Sequence, residues 1–264
     1  MAQLNCVAGD VTTNVENVVR QIHAAAAQSS ALVVFPEMCD TGYEMDTILR
    51  TASSWDAAPY MTVAKTARER KIAVAIGLSE RKSEGIYNSV AVINADGELI
   101  ARHRKTHLMN VDPVREVRHL RAGDSLRTFE FGGFRFGLVI CYEVRFPEVS
   151  RALAVSGAEV LLVQAAFPHA RREHWKVLTR ARAIENQAYV VAVNRVGSDG
   201  GMEFAGTSVA YDPYGVVEAE GTEQDEALLF TTLRRENLER VREGLRVFDD
   251  RRESVYLRVS REER

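Results

Sequence analysis

Short apolar runs that end abruptly on a chemically active side chain recur along these 264 residues. Phe134-Arg135-Phe136-Gly137-Leu138-Val139-Ile140 passes straight into Cys141-Tyr142-Glu143-Val144-Arg145-Phe146-Pro147-Glu148, which reads as a buried strand breaking into a helix. A thiol at such an elbow is expected to lie exposed at the end of a sheet, to face free backbone N–H groups and to feel the positive end of the helix dipole. That position suits a nucleophile, although an unpaired cysteine taken alone is most often an inert core residue. Two other strand ends carry charge. Ala31-Leu32-Val33-Val34-Phe35 stops at Pro36-Glu37, leaving a carboxylate at the lip of a buried strand, and a strand from Glu98 to Arg104 delivers Lys105.

The wider periodicity is that of an α/β protein. It predicts a helix from Asn14 to Ala27, a strand over 31–35, a helix from about Ser54 to Arg70 and a strand from Ile72 to Leu78. Strands Tyr87–Asn94 and Glu98–Arg104 are joined by the turn Ala95-Asp96-Gly97. Helix Pro147–Ser156, strand Glu159–Gln164, helix Glu173–Asn186 and strand Tyr189–Asn194 follow, then strands 205–211, 216–220 and 227–233 and a short helix from Arg234. Two sheets stacked face to face with helices outside suit this order, but periodicity alone leaves a doubly wound single sheet open.

Composition excludes several classes. With 46% hydrophobic and 27% charged residues and no low-complexity linker, the chain reads as one domain with a large core. The 34 basic and 37 acidic residues give a formal net charge of -3, so no global field draws nucleic acid. No stretch approaches the ~18 apolar residues of a membrane span, and no basic-then-apolar signal region opens the chain, which makes the cytoplasm the expected location. Cys6, Cys39 and Cys141 have neither CxxC nor Cys/His ligand spacing, so neither a disulfide framework nor a metal site is expected. His103 and His107 flank Lys105 on a strand end and would not share a face as a helical metal pair does. His169 and His174 suggest a papain-like Cys-His pair, but Cys141 lacks the local context for one, and a carboxylate base is already at hand.

Glu37, Lys105 and Cys141, in that chain order, resemble the Glu-Lys-Cys catalytic set of the nitrilase superfamily of carbon-nitrogen hydrolases. The segments that carry the resemblance span nearly the whole chain: Phe35-Pro36-Glu37, His103 to Leu108, Gly137 to Glu148, His174-Trp175 through Arg180 to Gln187, and Gly206-Thr207-Ser208 with Asp212-Pro213-Tyr214-Gly215. Five ordered blocks are far more specific than one short motif. The resemblance implies a four-layer αββα sandwich, a single domain over 1–264, and a tail at 245–264 that packs across the interface of a homodimer or higher homo-oligomer. Glu116, seven positions before Gly123, matches the family's supporting glutamate. The chain starts within its expected first strand, Ala2-Gln3-Leu4, where relatives carry several more residues, so its start is expected to be short.

Amide carbons are poor electrophiles and ammonia is a poor leaving group, so hydrolysis calls for a strong nucleophile, a proton donor for the leaving nitrogen and a cation for the oxyanion. Cys141, Glu37 and Lys105 would supply these, with the backbone N–H of Tyr142 as a second oxyanion donor, Glu116 orienting water, and no metal or organic cofactor. The competing reading of Glu37 and Lys105 is a plain ion pair. Arg145, one helical turn beyond Cys141, could offer its guanidinium fork to a substrate carboxylate, or form an internal salt bridge. Phe167 is a candidate pocket wall, or simply core. The Cys-Tyr-x-x-Arg-Phe block looks most like the omega-amidases and deaminated glutathione amidases, which act on small-molecule amides of acids. Glu143 departs from them by standing where they usually have Asp, and a glutamate there is similar to true nitrilases. Nitrilases and N-carbamoyl amide hydrolases with the same Glu-Lys-Cys set are the enzymatic alternatives, and a catalytically silent scaffold is the non-enzymatic one.

Overall fold

Every residue of Val160–Ala165 and of Tyr189–Asn194 is buried, which a strand achieves only when both faces of its sheet are covered. The protein, described here by a computed structural model over residues 1–112 and 114–256, covers them with a second sheet on one side and helices on the other. The larger sheet holds β6 (Thr128–Phe131), β7 (Phe134–Ile140), β8 (Val160–Ala165), β9 (Tyr189–Asn194), β12 (Val209–Tyr211) and β13 (Val217–Glu220), in the order β13-β12-β9-β8-β7-β6. Its central strands β7, β8 and β9 are parallel, and the flanking pairs are antiparallel. The smaller sheet runs β2-β3-β4-β5, from β2 (Leu32–Val34), β3 (Ala73–Lys82), β4 (Gly85–Ile93) and β5 (Leu99–Arg104). There β2 is parallel to β3, and the two following pairs are antiparallel, so β2, β3 and β5 all point the same way. Two-residue strands complete the set: β1 (Ala2–Gln3) pairs with β14 (Ala227–Leu228), and β10 (Ser198–Asp199) with β11 (Met202–Glu203).

Alternation along the strands assigns the layers. Val34, Ala75, Val90 and Val92 turn inward and join Leu138, Leu162 and Val191 of the facing sheet in one core cluster. Their neighbours Val33, Phe35, Val74 and Ile76 turn outward, onto Val18 and Ile22 of α1 (Val11–Ala27) and Val63 and Ala67 of α3 (Ala58–Arg70). The outer face of the larger sheet is covered by α4 (Pro147–Val155) and α5 (Arg172–Asn186), through residues such as Leu153, Trp175 and Ala183. The result is the four-layer αββα sandwich; the single doubly wound sheet is not formed. Shorter helices are α2 (Met45–Thr51), α6 (Arg235–Gly244) and α7 (Glu253–Tyr256).

Several boundaries differ from expectation for identifiable reasons. The helix expected from Ser54 begins at Ala58, with a proline in its first turn, and α2 occupies a segment for which no element was expected. Strand 205–211 shrinks to β12 because Gly206 and Thr207 both take left-handed φ, +53° and +48°. Strand 227–233 shrinks to Ala227–Leu228. In the tail, α7 has no buried residue, and residues 257–264 lie outside the described part of the chain.

The two ends of the sandwich are chemically unlike. Where β2 and β7 begin, Leu32, Phe134, Leu162, Leu229 and Leu233 line a cavity of about 690 Å³ to which the described residues contribute no ionisable side chain, though Met1, with its α-amino group, is part of the lining. Where they end, Gly77 of β3 packs directly beneath Pro36 and Glu37. A Cβ at Gly77 would stand 2.4 Å from the Pro36 carbonyl oxygen and 2.6 Å from Glu37 Cα. The Gly77 N–H donates to that same carbonyl (3.1 Å), and the Gly77 carbonyl accepts from Cys39 N–H (2.8 Å). Gly77→Ala is therefore expected to cost about 1–3 kcal/mol through overpacking and to lower kcat beyond what the lost stability explains, because the Glu37 backbone has to move. Thermal unfolding and steady-state rates measured on one preparation test this. A folded variant with normal kcat would show that β3 does not set the position of Glu37.

Candidate active site

Glu37, Lys105 and Cys141 each follow the last residues of a strand, and the sandwich brings the three strand ends together. Phe35 extends the β2–β3 pairing by one bond to Ala75, so the chain reaches Glu37 in extended form, and Lys105 N–H donates to Asn88 O at the end of β5. The facing sheet is stitched to the Glu37 segment by Gln164 Nε2, which donates to Phe35 O (2.8 Å), and by Ala166 N–H, which donates to Glu37 Oε2 (2.7 Å).

The centre is a fully buried ion cluster. Lys105 Nζ donates to Glu37 Oε1 (2.8 Å) and to Glu116 Oε1 (2.9 Å), with all three side chains inaccessible to solvent. Asn88 Nδ2 bridges the same two oxygens, at 2.6 and 3.2 Å, and Met109 N–H fixes Glu116 Oε2 at 2.7 Å. Burial alone would lower the Lys105 pKa, but Glu116 and Glu37 more than offset it and raise it, so the ammonium is permanently charged. Two of its three protons are engaged by carboxylates, leaving one for a ligand. Two carboxylates around one ammonium leave the cluster with one acidic side chain more than it has basic ones.

Cys141 corrects one expectation. Its side chain is buried, with the residue only 5% exposed, and it opens a five-residue 3₁₀ turn, Cys141–Arg145, instead of an α-helix; α4 starts later, at Pro147. So short a turn offers little dipole. Burial, and then the Glu37 carboxylate facing it, push the thiol well above its ordinary pKa, with Lys105 pulling the other way. The resting group is a neutral thiol beside a base. Cys141 also takes a left-handed φ of +46°, a backbone state that non-glycine residues rarely occupy and that often marks functional sites. Arg182 of α5 supports the turn through Nε to Val144 O (3.0 Å).

Glu143 explains how the lysine strand and the cysteine strand are held in register. One oxygen accepts from Thr106 N–H and Oγ1, both at 2.6 Å; the other meets His103 Nε2 at 2.9 Å and Ile140 N–H at 2.7 Å. The glutamate that set this chain apart from the omega-amidase pattern is thus consumed by scaffold contacts and has no oxygen left for a substrate. Burial acts to raise its pKa, but His103 and these donors outweigh that and hold it at about 2.

The remaining candidates line the approach. Tyr142 is half-buried, packs edge-on against Phe146 and has no acceptor for its N–H among the described residues. Arg145 makes no ion pair among the described residues; Nη1 meets His174 Nδ1 at 3.3 Å and the guanidinium lies 5.0 Å from the centre of the Phe167 ring. Phe167 is buried, tilted against Trp175. Burial, and then the nearby charge of Arg171, lower the Arg145 pKa. His103 is taken up by Glu143, His107 stacks on Phe146 and His169 pairs with Glu223. Asn88, Glu143, Arg171 and Gly77 were absent from the set expected from sequence. A lone asparagine and a lone glycine inside apolar strands were the only signals of the first and last.

The family described as carbon-nitrogen hydrolase matches residues 1–243. The 2-oxoglutaramate amidase of Bacillus subtilis (strain 168) is 36% identical over 226 residues, 85% of this chain and 86% of that protein. An omega-amidase of Homo sapiens is 30% identical over 263 residues, covering 96% of this chain and 94% of the relative. The crystal structure of the C. elegans NitFhit protein superposes with a TM-score of 0.88 at 30% identity over 97% of this chain, which spans 65% of that longer protein. A glutamate-to-glutamine mutant of the amidase from Nesterenkonia sp. AN1, with the acetamide moiety of fluoroacetamide added covalently at its active site cysteine, gives a TM-score of 0.85 at 25% identity, covering 97% and 94% of the two chains. The chain belongs to the carbon-nitrogen hydrolase family, and its relatives place it in the amidase branch.

The Glu143 clasp generates a stability test. Its carboxyl is held at about 2 in the folded chain against an ordinary 4.5, so its contribution is fully present above pH 4.5 and lost as pH falls through 2. Glu143→Gln is expected to cost about 3–5 kcal/mol near neutrality, with the gap to wild type narrowing below pH 4.5. Urea unfolding of both proteins at pH 7 and pH 3.5 measures it. A gap independent of pH would mean that the carboxylate's charge is not what joins the two strands.

Proposed function

We propose that the protein hydrolyses the terminal amide of a small carboxylate-bearing molecule through a thioester on Cys141, releasing ammonia and a carboxylic acid. The observation that carries this reading is the placement of a neutral, buried thiol beside Glu37, which shares the Lys105 ammonium with Glu116. As the thiol attacks, its proton passes to Glu37 and the S–C bond forms. The oxyanion accepts hydrogen bonds from the free Lys105 N–H and from the backbone N–H of Tyr142. Protonated Glu37 gives its proton to the departing nitrogen, ammonia leaves, and water activated by Glu37 and oriented by Glu116 then cleaves the thioester. In the Nesterenkonia amidase the active site cysteine bonds covalently to the acetamide moiety of fluoroacetamide, which supports the role of Cys141 as nucleophile.

Arg145 supports the carboxylate part of the reading. It is half-buried, flanked by Phe167 and His174, near a second cation at Arg171, and without an acid partner among the described residues. Two like charges with no counterion among the described residues favour an anionic ligand. The names of the bacterial and human relatives, 2-oxoglutaramate amidase and omega-amidase, point to the same substrate class. Glu143 gives the nitrilase alternative no support, since it faces the scaffold.

We further propose one domain over the whole chain, working as a homodimer or higher oligomer. Val177 and Ile184 on the outer face of α5, with Tyr214 and Val216, are exposed apolar side chains that a second copy and the tail from residue 245 would cover, which light scattering reads directly. Among the described residues no helix is long and apolar enough to cross a membrane, and three unpaired buried cysteines suit a reducing, cytoplasmic setting.

Cys141→Ala should abolish turnover in a folded protein, while Glu37→Gln and Lys105→Met should each lower kcat by roughly 100-fold or more, from lost proton transfer and lost oxyanion stabilisation. Turnover near wild type in either of the latter would reduce the cluster to an ion pair beside an unrelated cysteine. Arg145→Lys keeps the charge but loses the fork, so KM should rise far more for 2-oxoglutaramate than for a neutral amide of similar length. Equal losses on the two substrates would make Arg145 structural.

A further inference from the structure

Tyr43 is a buried side chain with unspent hydrogen-bonding capacity at the centre of the site. Its residue is 4% exposed, and its hydroxyl has no hydrogen-bond partner among the described residues, a condition that costs ~1–3 kcal/mol and calls for an explanation. The ring lies 5.9 Å from Lys105 Nζ. The hydroxyl is pushed well above its ordinary pKa by burial, then by the charges of Glu116, Glu37 and Cys141 and by its nearness to the Glu116 carboxylate, so it lies beside Glu116. It therefore stays protonated.

The position of Tyr43 is built. Its N–H donates to Asp199 Oδ2 (2.9 Å), and Asp199 forms a buried ion pair with Arg195, whose guanidinium lies 4.1 Å from the Phe204 ring centre. Phe204 meets the Tyr43 ring edge-on. Gly42 before it has φ +72°, and a Cβ there would stand 2.7 Å from Ala8 Cα. A buried ion pair, an aromatic contact and a close backbone approach thus hold one phenol whose hydroxyl, beside Glu116, completes no well-formed hydrogen bond among the described residues.

Neighbouring groups have little left to offer it. Glu116 already accepts from Lys105, Asn88 and Met109, and Glu37 from Lys105, Asn88 and Ala166. We propose that the Tyr43 hydroxyl holds the water that cleaves the thioester, beside Glu37 and Glu116, and is a positioning residue for deacylation. In that step the water gives a proton to Glu37 while its oxygen bonds to the acyl carbon. The C–S bond then breaks, and the sulfur recovers the proton from Glu37. Tyr43 neither gains nor loses a proton. The inference rests on the thioester reading above.

Tyr43→Phe keeps the ring and removes only the hydroxyl. With 2-oxoglutaramate as substrate, kcat should fall roughly tenfold or more while KM falls with it, leaving kcat/KM, which reports steps through ammonia release, within about threefold of wild type. Ammonia should appear in a burst of about one equivalent per active site, with an acyl adduct on Cys141 seen by intact mass. Hydroxylamine competes with water for the thioester, so the ratio of hydroxamate to acid should rise in the variant. That ratio does not depend on the fraction of folded enzyme, which keeps the test valid if Tyr43→Phe is less stable. An unchanged ratio, or kcat/KM falling as far as kcat, overturns the proposal. Absence of hydroxamate from wild type itself would overturn it together with the thioester, and so distinguishes the two failures.

Discussion

Lys105 is an ammonium removed entirely from water, and most of the site follows from the need to compensate that charge. A buried cation is tolerated only with close, well-aligned acceptors, and Lys105 has two carboxylates within 2.9 Å. Those carboxylates need further donors, which Asn88, Ala166 and Met109 supply from β4, the end of β8 and the loop after β5. Each requirement draws another strand end toward one point. The sandwich is less a container for the cluster than the arrangement of backbone that lets the cluster exist.

A second layer of polar contacts keeps the two sheets in register around it. Glu143 joins the segment carrying Lys105 to the strand carrying Cys141, and Gln164 ties β8 to the Glu37 segment. The apolar core between the sheets is non-directional and would accept small slips. Directional bonds of this kind do not, which is why a displacement of a single strand end would be felt by all three charged groups.

Much of this was legible in the sequence, and the remainder was not for definable reasons. Strands β2, β7, β8 and β9 are short apolar runs that could scarcely be read otherwise, and Glu37, Lys105, Glu116 and Cys141 stand where family-like blocks put them. What the spacing could not convey is what each side chain faces. Glu143 read as a possible mark of another branch and is a clasp; Cys141 read as exposed and is buried; Asn88, inside an expected strand, gave no sign that its amide bridges two carboxylates. The ends of 205–211 and 227–233 were lost to left-handed residues and to pairing that periodicity does not report. Contacts between sheets are set by tertiary geometry, and a linear pattern encodes only which face a residue takes.

The raised pKa of Cys141 has a bearing on how such a cysteine meets the rest of the cell. A thiol kept protonated and out of solvent is a poor target for peroxide or for general alkylating agents, both of which need an accessible thiolate. In the mechanism proposed here the sulfur becomes nucleophilic only when a carbonyl that fits between Lys105 and Tyr142 draws its proton onto Glu37. Reactivity is then a property of the complex and not of the free protein. A useful covalent probe would have to resemble the amide closely enough to trigger that transfer, and simple electrophilic strength would gain it little.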